Sequence, residues 1–421
     1  MPSILQTPTR LAAYLQSLQR FGIAPGLERI RALLQRAGNP QLEYPVVLVG
    51  GTNGKGSTCE FLARLLAEEG KRVGLFTSPH LYHWNERIRV LKSEVKTQKS
   101  ELFPGAISNQ DLDALFDEAL PYIEIVANSP LGQPTEFEVL TFLGFRYFAQ
   151  QKIDVAVVEV GLGGKWDATN ACEPIVSVIT HVALDHCDRL GNTLEAIASD
   201  KIHIARQGKF LVTSETKLEV LEVFEKYCRN INCHIHKVPL PCGADFQQVN
   251  FATALAAKGV LCRSLDWPQT PHSALRTPHS AVPGRFETIA ENPRVILDGA
   301  NNPDGAQTLA TQLQDALNQT PGARLILVLG ILADKDWAAM IEILAPLAAV
   351  VIATQSDSPR AASATLIAAQ SRKFCAHVEQ STPSMAAFAR ALESAHSNDI
   401  ICVTGSFYTI AEIERGNALS D

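Results

Sequence analysis

The segment VVLVGGTNGKGS, residues 46–57, combines residue types that suit a phosphate-binding turn. Glycines let backbone N–H groups approach an anion, the start of a following helix adds positive potential, and Lys55 adds a full charge. Ser57 is placed to offer its hydroxyl to a magnesium ion. Gly56 separates the lysine from the serine and breaks the usual P-loop spacing, so the alternative is an ordinary turn between a strand and a helix.

Three further polar residues stand where apolar runs end. Ser78, Glu159 and His186 each lie at or shortly after the end of a run that predicts a buried strand. Because the carboxyl ends of parallel strands meet at one edge of a sheet, we expect all three near the phosphate-binding turn. Glu159 is the strongest candidate, since a carboxylate in an apolar strand is costly unless it meets magnesium or a basic side chain. His186 alone favours a structural role, because histidine is an unusual magnesium ligand.

Four other features point to chemistry less specifically. Lys201 lies in a helical pattern, where a surface lysine is the default. A second glycine-rich turn, GLGGKWDATN at 161–170, either approaches a ligand or simply turns the chain. Asp298 ends an apolar run and suits a ribose contact or a helix N-cap, whereas Arg285 suits phosphate or a surface ion pair. The sequence has no Ser-His-Asp order, HExxH or G-x-S-x-G, which argues against a hydrolase triad.

The composition describes a globular protein with more than one domain. The chain has 421 residues, 46% hydrophobic and 19% charged, which is enough for two or three separate cores. A net charge of −7 argues against nucleic acid as the main partner. No apolar run reaches the roughly 18 residues needed to span a bilayer, and the N-terminus lacks a secretory signal. Nine scattered cysteines without a C-x-x-C pair predict reduced thiols, so we expect a cytoplasmic protein without a membrane partner.

The apolar runs predict two α/β domains after a helical stretch of 45 residues. Strands are predicted at 46–49, 73–76, 154–161, 175–180, 294–300, 324–330, 349–354 and 399–406. Helices are predicted at 111–127, 136–151, 193–206, 216–230, 304–318, 336–346, 361–372 and 384–396. The polar stretch 92–111 predicts a loop, and the proline-rich stretch 267–284 predicts a domain boundary. We therefore predict a P-loop doubly wound ATP-binding domain at 1–283 and a smaller Rossmann-like domain at 284–421, with a substrate cleft between them.

Taken together, these segments resemble the bacterial folylpolyglutamate synthase/dihydrofolate synthase family of the Mur ligase superfamily. The resemblance covers nearly the whole chain, and the order and spacing of its segments make it specific. The segments are FGIAPGLERI, GTNGKGS, TSPHL with ERIRV, EVGLGGKWDATN, ALDHCDRLG, NFATALAA, PGRFE, DGANNP, GILADKDW and GSFYT.

The resemblance implies a role for each candidate residue. The residues implied to bind ATP are Thr52, Asn53, Gly54, Lys55, Gly56, Ser57, Asn250, Arg285 and Asp298. Those implied to hold magnesium, expected at two sites, are Ser57, Ser78, Glu159 and His186. Those implied to meet the folate-type acceptor or glutamate are Gly26, Leu27, Thr135, Phe137, Trp166, Asp167, Ala168, Asn301 and Ser406. The implied catalytic residues are Lys55, His186, Lys201 and Arg285. Lys201 would be carbamylated, which turns a cation into an anionic ligand beside the second metal.

The implied reaction is ATP-dependent amide formation. The γ-phosphoryl group passes to the carboxylate of dihydropteroate or a folate, and the amine of glutamate attacks the resulting acyl phosphate. The residues matched on the pterin side favour an enzyme that uses both acceptors, and a monomer is the family expectation. The chain departs from the family at Asn301, where histidine is usual, and at Lys165, where arginine is usual. It also departs in the segment around Lys201, and the stretch from there to Asn250 is shorter than usual.

Two other functions stay open at this point. The first is a Mur-type ligase that acts on a cell-wall precursor, although the 45 residues before the first strand leave no room for the extra domain we expect of one. The second is a nucleotide-dependent regulatory protein without ligase activity. Asn301 keeps that second alternative open, whereas the presence of Lys55, Glu159, His186 and Lys201 argues against it.

Overall fold

The computed structural model describes residues 10–18, 25–93, 102–240, 243–268 and 282–413. The chain separates into two compact units, residues 1–277 and 278–421. The predicted loop at 92–111, the proline-rich stretch at 267–284 and the helical stretch at the start of the chain lie partly outside the described residues. The domain boundary between residues 283 and 284 stays a prediction.

The first unit contains a seven-stranded sheet. Its strands are β1 (Val46–Gly50), β2 (Val73–Phe76), β3 (Ile88–Leu91), β4 (Val155–Glu159), β5 (Val176–Ile179), β6 (Phe210–Thr213) and β7 (His234–Lys237). Its helices are α1 (Arg10–Leu18), α2 (Glu28–Arg36), α3 (Lys55–Glu68), α4 (Asn109–Ala127), α5 (Glu136–Gln150), α6 (Cys187–Leu190), α7 (Leu194–Lys201), α8 (Leu218–Asn230) and α9 (Phe246–Ser264).

The order of the strands brings three loops together. The order is β3-β2-β4-β1-β5-β6-β7, and β1 pairs in parallel with β4 on one side and with β5 on the other. All residues of β1, β4 and β5 are buried, as is typical of strands covered on both faces. The loops after these three strands therefore meet at the carboxyl edge of the sheet, where ligands bind in folds of this type.

Strand β3 pairs antiparallel with β2 at one edge of the sheet and contains a buried arginine. The guanidinium of Arg89 lies 2.6 Å from the carboxylate of Glu60 on α3, and both side chains are at most 6% exposed. Arg64 contacts the same carboxylate at 2.7 Å. Burial acts to raise the pKa of Glu60, but the two arginines together bring it below its ordinary value. The pair thus fixes β3 to the helix that begins at the phosphate-binding turn.

The second unit contains a six-stranded sheet of order β12-β11-β10-β13-β9-β8. Neighbouring strands are parallel except for β8, which pairs antiparallel with β9. The strands are β8 (Glu287–Glu291), β9 (Arg294–Asp298), β10 (Leu325–Leu329), β11 (Val350–Ala353), β12 (Val378–Gln380) and β13 (Ile400–Thr404). The helices are α10 (Pro303–Gln319), α11 (Trp337–Leu344), α12 (Ala364–Ser371), α13 (Ser384–Ser394) and α14 (Phe407–Ala411).

The predicted strands and helices of both units are present, with ends shifted by a few residues. Strands β3, β6, β7, β8 and β12 were not predicted, and neither were α6, α9 and α14. In the part of the chain that the structure covers, no helix is both long and apolar enough to cross a membrane.

Replacement of Arg89 by methionine tests the buried ion pair. We expect Arg89→Met to lower the free energy of unfolding by about 3 kcal/mol, because it leaves a buried carboxylate with one cation fewer. The matched control is Arg10→Ala, which breaks the exposed pair with Asp117 and should cost at most about 1 kcal/mol. Urea denaturation followed by circular dichroism measures both. Equal losses in the two variants would contradict the structural role of Arg89.

Candidate active site

The glycine-rich turn lies between β1 and α3, as the sequence predicts. Gly54 precedes the first residue of α3 and has a positive φ of 87°, a left-handed conformation that favours glycine. A Cβ atom at this position would also overlap the side-chain oxygen of Asn250 on α9. The turn therefore requires glycine for two reasons, and the first N–H groups of α3 point toward the space in front of it.

The turn is fixed to the loop that follows β5. The hydroxyl of Thr52 accepts from the backbone N–H of Ala183 at 3.0 Å and donates to its carbonyl at 3.1 Å. The hydroxyl of Thr180 donates to the carbonyl of Asn53 at 2.7 Å. The ammonium of Lys55 donates to the carbonyl of Thr52 at 3.0 Å. These contacts hold the backbone of the turn in place before any ligand binds.

Glu159 brings a buried carboxylate to the same place. It ends β4, the strand beside β1, and is 4% exposed. Its Oε2 atom accepts from the backbone N–H of Ser78 at 3.0 Å, and a Cβ atom at Gly56 would lie 3.5 Å from it. Ser57, which is 3% exposed, is the next residue of α3. The structure thus places Glu159, Ser78 and the start of α3 together, and a carboxylate beside hydroxyl groups suits a hard cation such as magnesium.

His186 occupies the residue before α6 and has a positive φ of 51°. Its Nε2 atom lies 3.8 Å from a carboxylate oxygen of Asp185, and its side chain is 36% exposed. Among the described residues, no group of three or more His, Cys, Asp or Glu side chains is assembled for a metal. The candidate set consists mainly of hydroxyl groups and one carboxylate, which suits a magnesium ion that keeps waters and phosphate oxygens as ligands.

Lys201 is buried, so its expected position on the surface is wrong. The residue ends α7, is 4% exposed, and donates from its amine to the carbonyl of Gly51 at 2.8 Å. Burial lowers the pKa of Lys201 to about 7, and the charge of Lys55 acts in the same direction. The amine beside the phosphate-binding turn is therefore largely uncharged above neutral pH.

The second glycine-rich turn packs against the end of α7. A Cβ atom at Gly164 would lie 2.7 Å from the carbonyl oxygen of Lys201, so only glycine fits this approach. Asp167 closes the turn by accepting from the backbone N–H groups of Leu162 at 2.8 Å and Thr169 at 3.0 Å. Burial raises the pKa of Asp167. The sequence left open whether this segment contacts a ligand or turns the chain, and the structure gives both residues a part in the turn that does not depend on a ligand.

Two of the predicted substrate segments meet at Gly161. A Cβ atom there would meet both the ring of Phe137, at 2.7 Å, and a carboxylate oxygen of Asp167, at 3.1 Å. Ala168 is 5% exposed, whereas Trp166 is 48% exposed with the ammonium of Lys165 4.8 Å from its ring centre. An exposed tryptophan beside a buried turn is available to a planar ligand.

A third segment is linked to these two by an ion pair. Thr135 caps α5, accepting from the backbone N–H of Glu138 at 3.2 Å, and the carboxylate of Glu138 lies 2.9 Å from the guanidinium of Arg29 on α2. Gly26 and Leu27 directly precede α2, and Leu27 is 5% exposed. The pair therefore holds the start of α2 against the start of α5.

In the second unit, Asp298 ends β9 and is 6% exposed. Its carboxylate accepts from the backbone N–H groups of Phe286 and Ala300, each at 2.8 Å. Burial raises the pKa of Asp298, although Arg285 opposes that shift. The cap of α10 is Asn302, which accepts from the N–H of Gly305 at 2.7 Å. The alternative in which Asp298 caps the helix is therefore wrong.

The remaining candidates of the second unit lie near α10 and α14. The guanidinium of Arg285 stacks over the ring of Phe407, 4.5 Å from its centre. Asn301 is half-buried and precedes the residue that caps α10. Ser406 is 1% exposed and caps α14, accepting from the N–H of Thr409 at 3.0 Å. Its hydroxyl thus has a structural partner beside any role in binding.

One residue of the site, Thr180, was missed by the sequence. Thr180 fixes the phosphate-binding turn, and its only sequence signal was a hydroxyl residue at the end of an apolar run. Asn250, which the resemblance implies to bind ATP, is 5% exposed, and its side-chain Nδ2 atom has no hydrogen-bond partner in the described parts of the chain. A buried amide donor without a partner beside Gly54 is a group that a nucleotide phosphate can satisfy.

Comparison with known proteins identifies the class of enzyme to which this chain belongs. The family model described as "Mur ligase, glutamate ligase domain" matches residues 284–407. The dihydrofolate synthase/folylpolyglutamate synthase of Bacillus subtilis (strain 168) is 33% identical over 429 residues, covering 94% of this chain and 96% of that protein. These matches define an ATP-dependent ligase of the Mur type.

Solved structures of similar proteins superpose on this chain over almost its full length. The Mycobacterium tuberculosis folylpolyglutamate synthase complexed with ADP superposes with a TM-score of 0.84 at 27% identity, covering 98% of this chain and 99% of that one. The bifunctional folylpolyglutamate synthase/dihydrofolate synthase from Yersinia pestis, complexed with AMPPNP and Mn ion, gives 0.78 at 29% identity and covers 98% of each chain. This chain belongs to the dihydrofolate synthase/folylpolyglutamate synthase family. The predicted fold class, a P-loop α/β domain followed by a smaller α/β domain, is confirmed.

The buried amine of Lys201 predicts a distinct pH dependence of stability. The unfolded chain keeps this proton up to the ordinary lysine pKa, whereas the folded chain releases it near pH 7. A rise in pH from 7 to 9 therefore favours the folded state, by about 2 kcal/mol for one such group. We expect wild-type protein to gain this amount relative to Lys201→Met in carbon dioxide-free buffer, measured by urea denaturation at both pH values.

The control for this measurement is Lys209→Met, because Lys209 is exposed. This variant should show the same gain between pH 7 and pH 9 as wild-type protein. An identical pH dependence in wild-type protein and Lys201→Met would show that Lys201 titrates at its ordinary value and would contradict the effect of burial.

Proposed function

We propose that this protein joins L-glutamate to dihydropteroate and to reduced folates, using ATP and releasing ADP and phosphate. The observation that carries the proposal is the convergence of Lys55, Lys201 and Glu159 on one glycine-rich turn, in a chain of this family. Two amines, a carboxylate and the first N–H groups of a helix at one turn suit the transfer of a phosphoryl group.

Activation of the acceptor is the first chemical step. The acceptor carboxylate attacks the γ-phosphorus of ATP, the bond to the β–γ bridging oxygen breaks, and an acyl phosphate and ADP result. Lys55, the N–H groups of α3 and the Nδ2 atom of Asn250 would hold the phosphates, and Arg285 would stabilise charge that grows during transfer. Each such positioned group typically contributes about 3 kcal/mol, near a hundredfold in rate.

The candidate metal ligands are Ser57, Ser78, Glu159 and His186. The buried carboxylate of Glu159 beside the start of α3 fits a divalent cation, and a solved relative carries Mn with a nucleotide analogue. Magnesium bound there would neutralise phosphate charge and polarise the phosphoryl oxygens. The protein residues fix the position of these oxygen ligands through β4 and α3.

Lys201 would be carbamylated, giving a second magnesium site. Only the uncharged amine adds to carbon dioxide, forming a carbamate and releasing a proton. A pKa of about 7 leaves much of the amine in that form at neutral pH. The carbamate oxygen would then lie beside the phosphate-binding turn as an anionic ligand.

The acceptor would bind along the segments that meet at Gly161. Phe137, Trp166 and Asp167 would contact its pterin ring, together with Leu27 at the start of α2. The amine of glutamate then attacks the acyl carbonyl and phosphate leaves, which forms the amide bond. Asn301 and Ser406 in the second unit would face glutamate or the departing phosphate. Exclusion of water is needed because an acyl phosphate hydrolyses readily.

The proposal also covers the domain boundary, the oligomeric state and the cellular location. We place the boundary between residues 283 and 284, which agrees with the first residue matched by the glutamate ligase model. The enzyme would act as a monomer in the cytoplasm on small-molecule substrates, without nucleic acid or membrane partners.

Phosphate release measures whether both acceptors are used. We expect release in the presence of ATP, magnesium and glutamate when either dihydropteroate or tetrahydrofolate is added, because one set of phosphate ligands serves both carboxylates. Release with tetrahydrofolate alone would overturn the use of dihydropteroate. If folded protein releases no phosphate with either acceptor, the ligase proposal is contradicted. Asn301→His would then test whether the usual histidine restores activity.

Replacement of Glu159 by glutamine tests the metal site. We expect Glu159→Gln to raise the magnesium concentration needed for half-maximal activity and to lower kcat about a hundredfold, because one negative charge is lost beside the phosphates. The matched control is Glu215→Gln, another buried carboxylate, which accepts from backbone N–H groups and lies beside Lys217. The control should leave the magnesium requirement unchanged. An equal change in both variants would refute the assignment of Glu159 as a metal ligand.

A further inference from the structure

Two cysteines occupy the end of α8 and the residue before β7. The backbone N–H of Cys233 donates to the carbonyl of Cys228 at 2.8 Å. Asn232 has a positive φ of 53°, and its N–H donates to the carbonyl of Arg229 at 3.4 Å. These two bonds around a left-handed residue form a Schellman motif, a common end of α-helices.

The Schellman motif brings the side chains of its first and last residues into contact. In most proteins this contact is hydrophobic, but here it joins two thiols. Cys228 is 1% and Cys233 is 9% exposed, and each thiol changes the pKa of the other, as neighbouring side chains do. A disulfide needs two backbones held close together, and the 2.8 Å bond from the N–H of Cys233 to the carbonyl of Cys228 holds these two close.

A recess on the surface gives access to this pair. It has a volume of about 280 Å³ and is lined by Glu225, Cys228, Arg229, Cys233 and Ile235. A small oxidant such as hydrogen peroxide fits within it. The hydrogen bond from the Cys228 thiol lowers the pKa of Cys233, which favours the thiolate that reacts with peroxides.

Three other buried thiols of the described chain lack this chemistry. Burial raises the pKa of Cys59, of Cys172 to about 12, and of Cys402, so these thiols stay protonated in the core. They behave as small apolar residues, as the sequence predicts.

We infer that Cys228 and Cys233 are a redox modification site, which a hydroperoxide converts into a reversible disulfide. The Cys233 thiolate attacks one oxygen of the peroxide, the O–O bond breaks, and a sulfenic acid forms with release of water or alcohol. The Cys228 thiol then attacks the sulfenic sulfur, the S–O bond breaks, and one molecule of water leaves. The two thiols lose two electrons, and the peroxide accepts them.

The disulfide would join the end of α8 covalently to the start of β7, an edge strand. A thiol reductant would reopen it by exchange. This inference is independent of the proposed ligase function, since none of its residues belongs to the candidate active site.

Oxidation of the full-length folded protein tests the inference. Reduced protein is treated with hydrogen peroxide, the remaining thiols are alkylated in denaturant, and the peptides are mapped by mass spectrometry. We expect the count of free thiols to fall from nine to seven, with one peptide carrying an internal Cys228–Cys233 bond that dithiothreitol reverses. Cys187→Ser is the control, because it removes a half-exposed thiol elsewhere and should leave the new bond unaffected.

Cys228→Ala supplies the complementary test. Without its partner, Cys233 should stop at the sulfenic acid, which a dimedone probe labels, and go on to sulfinic acid at higher peroxide. The inference is overturned if wild-type Cys233 is driven to sulfinic acid, pairs with another cysteine, or stays reduced at peroxide concentrations that oxidise Cys187. Circular dichroism before and after treatment establishes that the oxidised protein is folded, so that a bond formed only after unfolding counts against the inference.

Discussion

The burial of charged groups around one glycine-rich turn is the constraint on which the first unit depends. Lys201 and Glu159 are each 4% exposed, and burying an isolated charge is costly unless a partner compensates. Lys201 meets the cost by hydrogen bonding to Gly51 and by a pKa lowered to about 7, whereas Glu159 accepts an N–H group from Ser78. Each compensating group belongs to a loop at the carboxyl edge of the sheet. The contacts that stabilise the two buried side chains therefore also determine the geometry of the site.

The glycines of the two turns follow from this crowding as much as from ligand binding. At Gly54 a side chain would overlap Asn250, and at Gly164 it would meet the backbone of Lys201. Both neighbours are candidate site residues, Asn250 on α9 and Lys201 at the end of α7. A glycine-rich segment that the sequence associates with ligand binding can therefore also be required by close packing between protein segments.

The sequence predicted the parts of the molecule that local patterns control and missed those that depend on tertiary contacts. Every interior strand except β6 was found, because an apolar run marks a strand buried on both faces. The edge strands β3, β7, β8 and β12 lack such runs and were missed. The order of residues around Lys55 and Glu159 also pointed to the site. The burial of Lys201 could not be found this way, since it arises from contacts with Gly51 and Gly164, far from it along the chain.

The four edge strands share a further property with a consequence for behaviour at high concentration. β3 contains Arg89, β7 reads HIHK, β8 begins and ends with glutamate, and β12 reads VEQ. An edge strand offers unpaired backbone groups to any other extended chain, and charged or polar side chains there discourage such pairing. The charged and polar side chains that made these strands hard to predict therefore also disfavour the addition of another strand to either sheet. This lowers the tendency of the folded protein to aggregate.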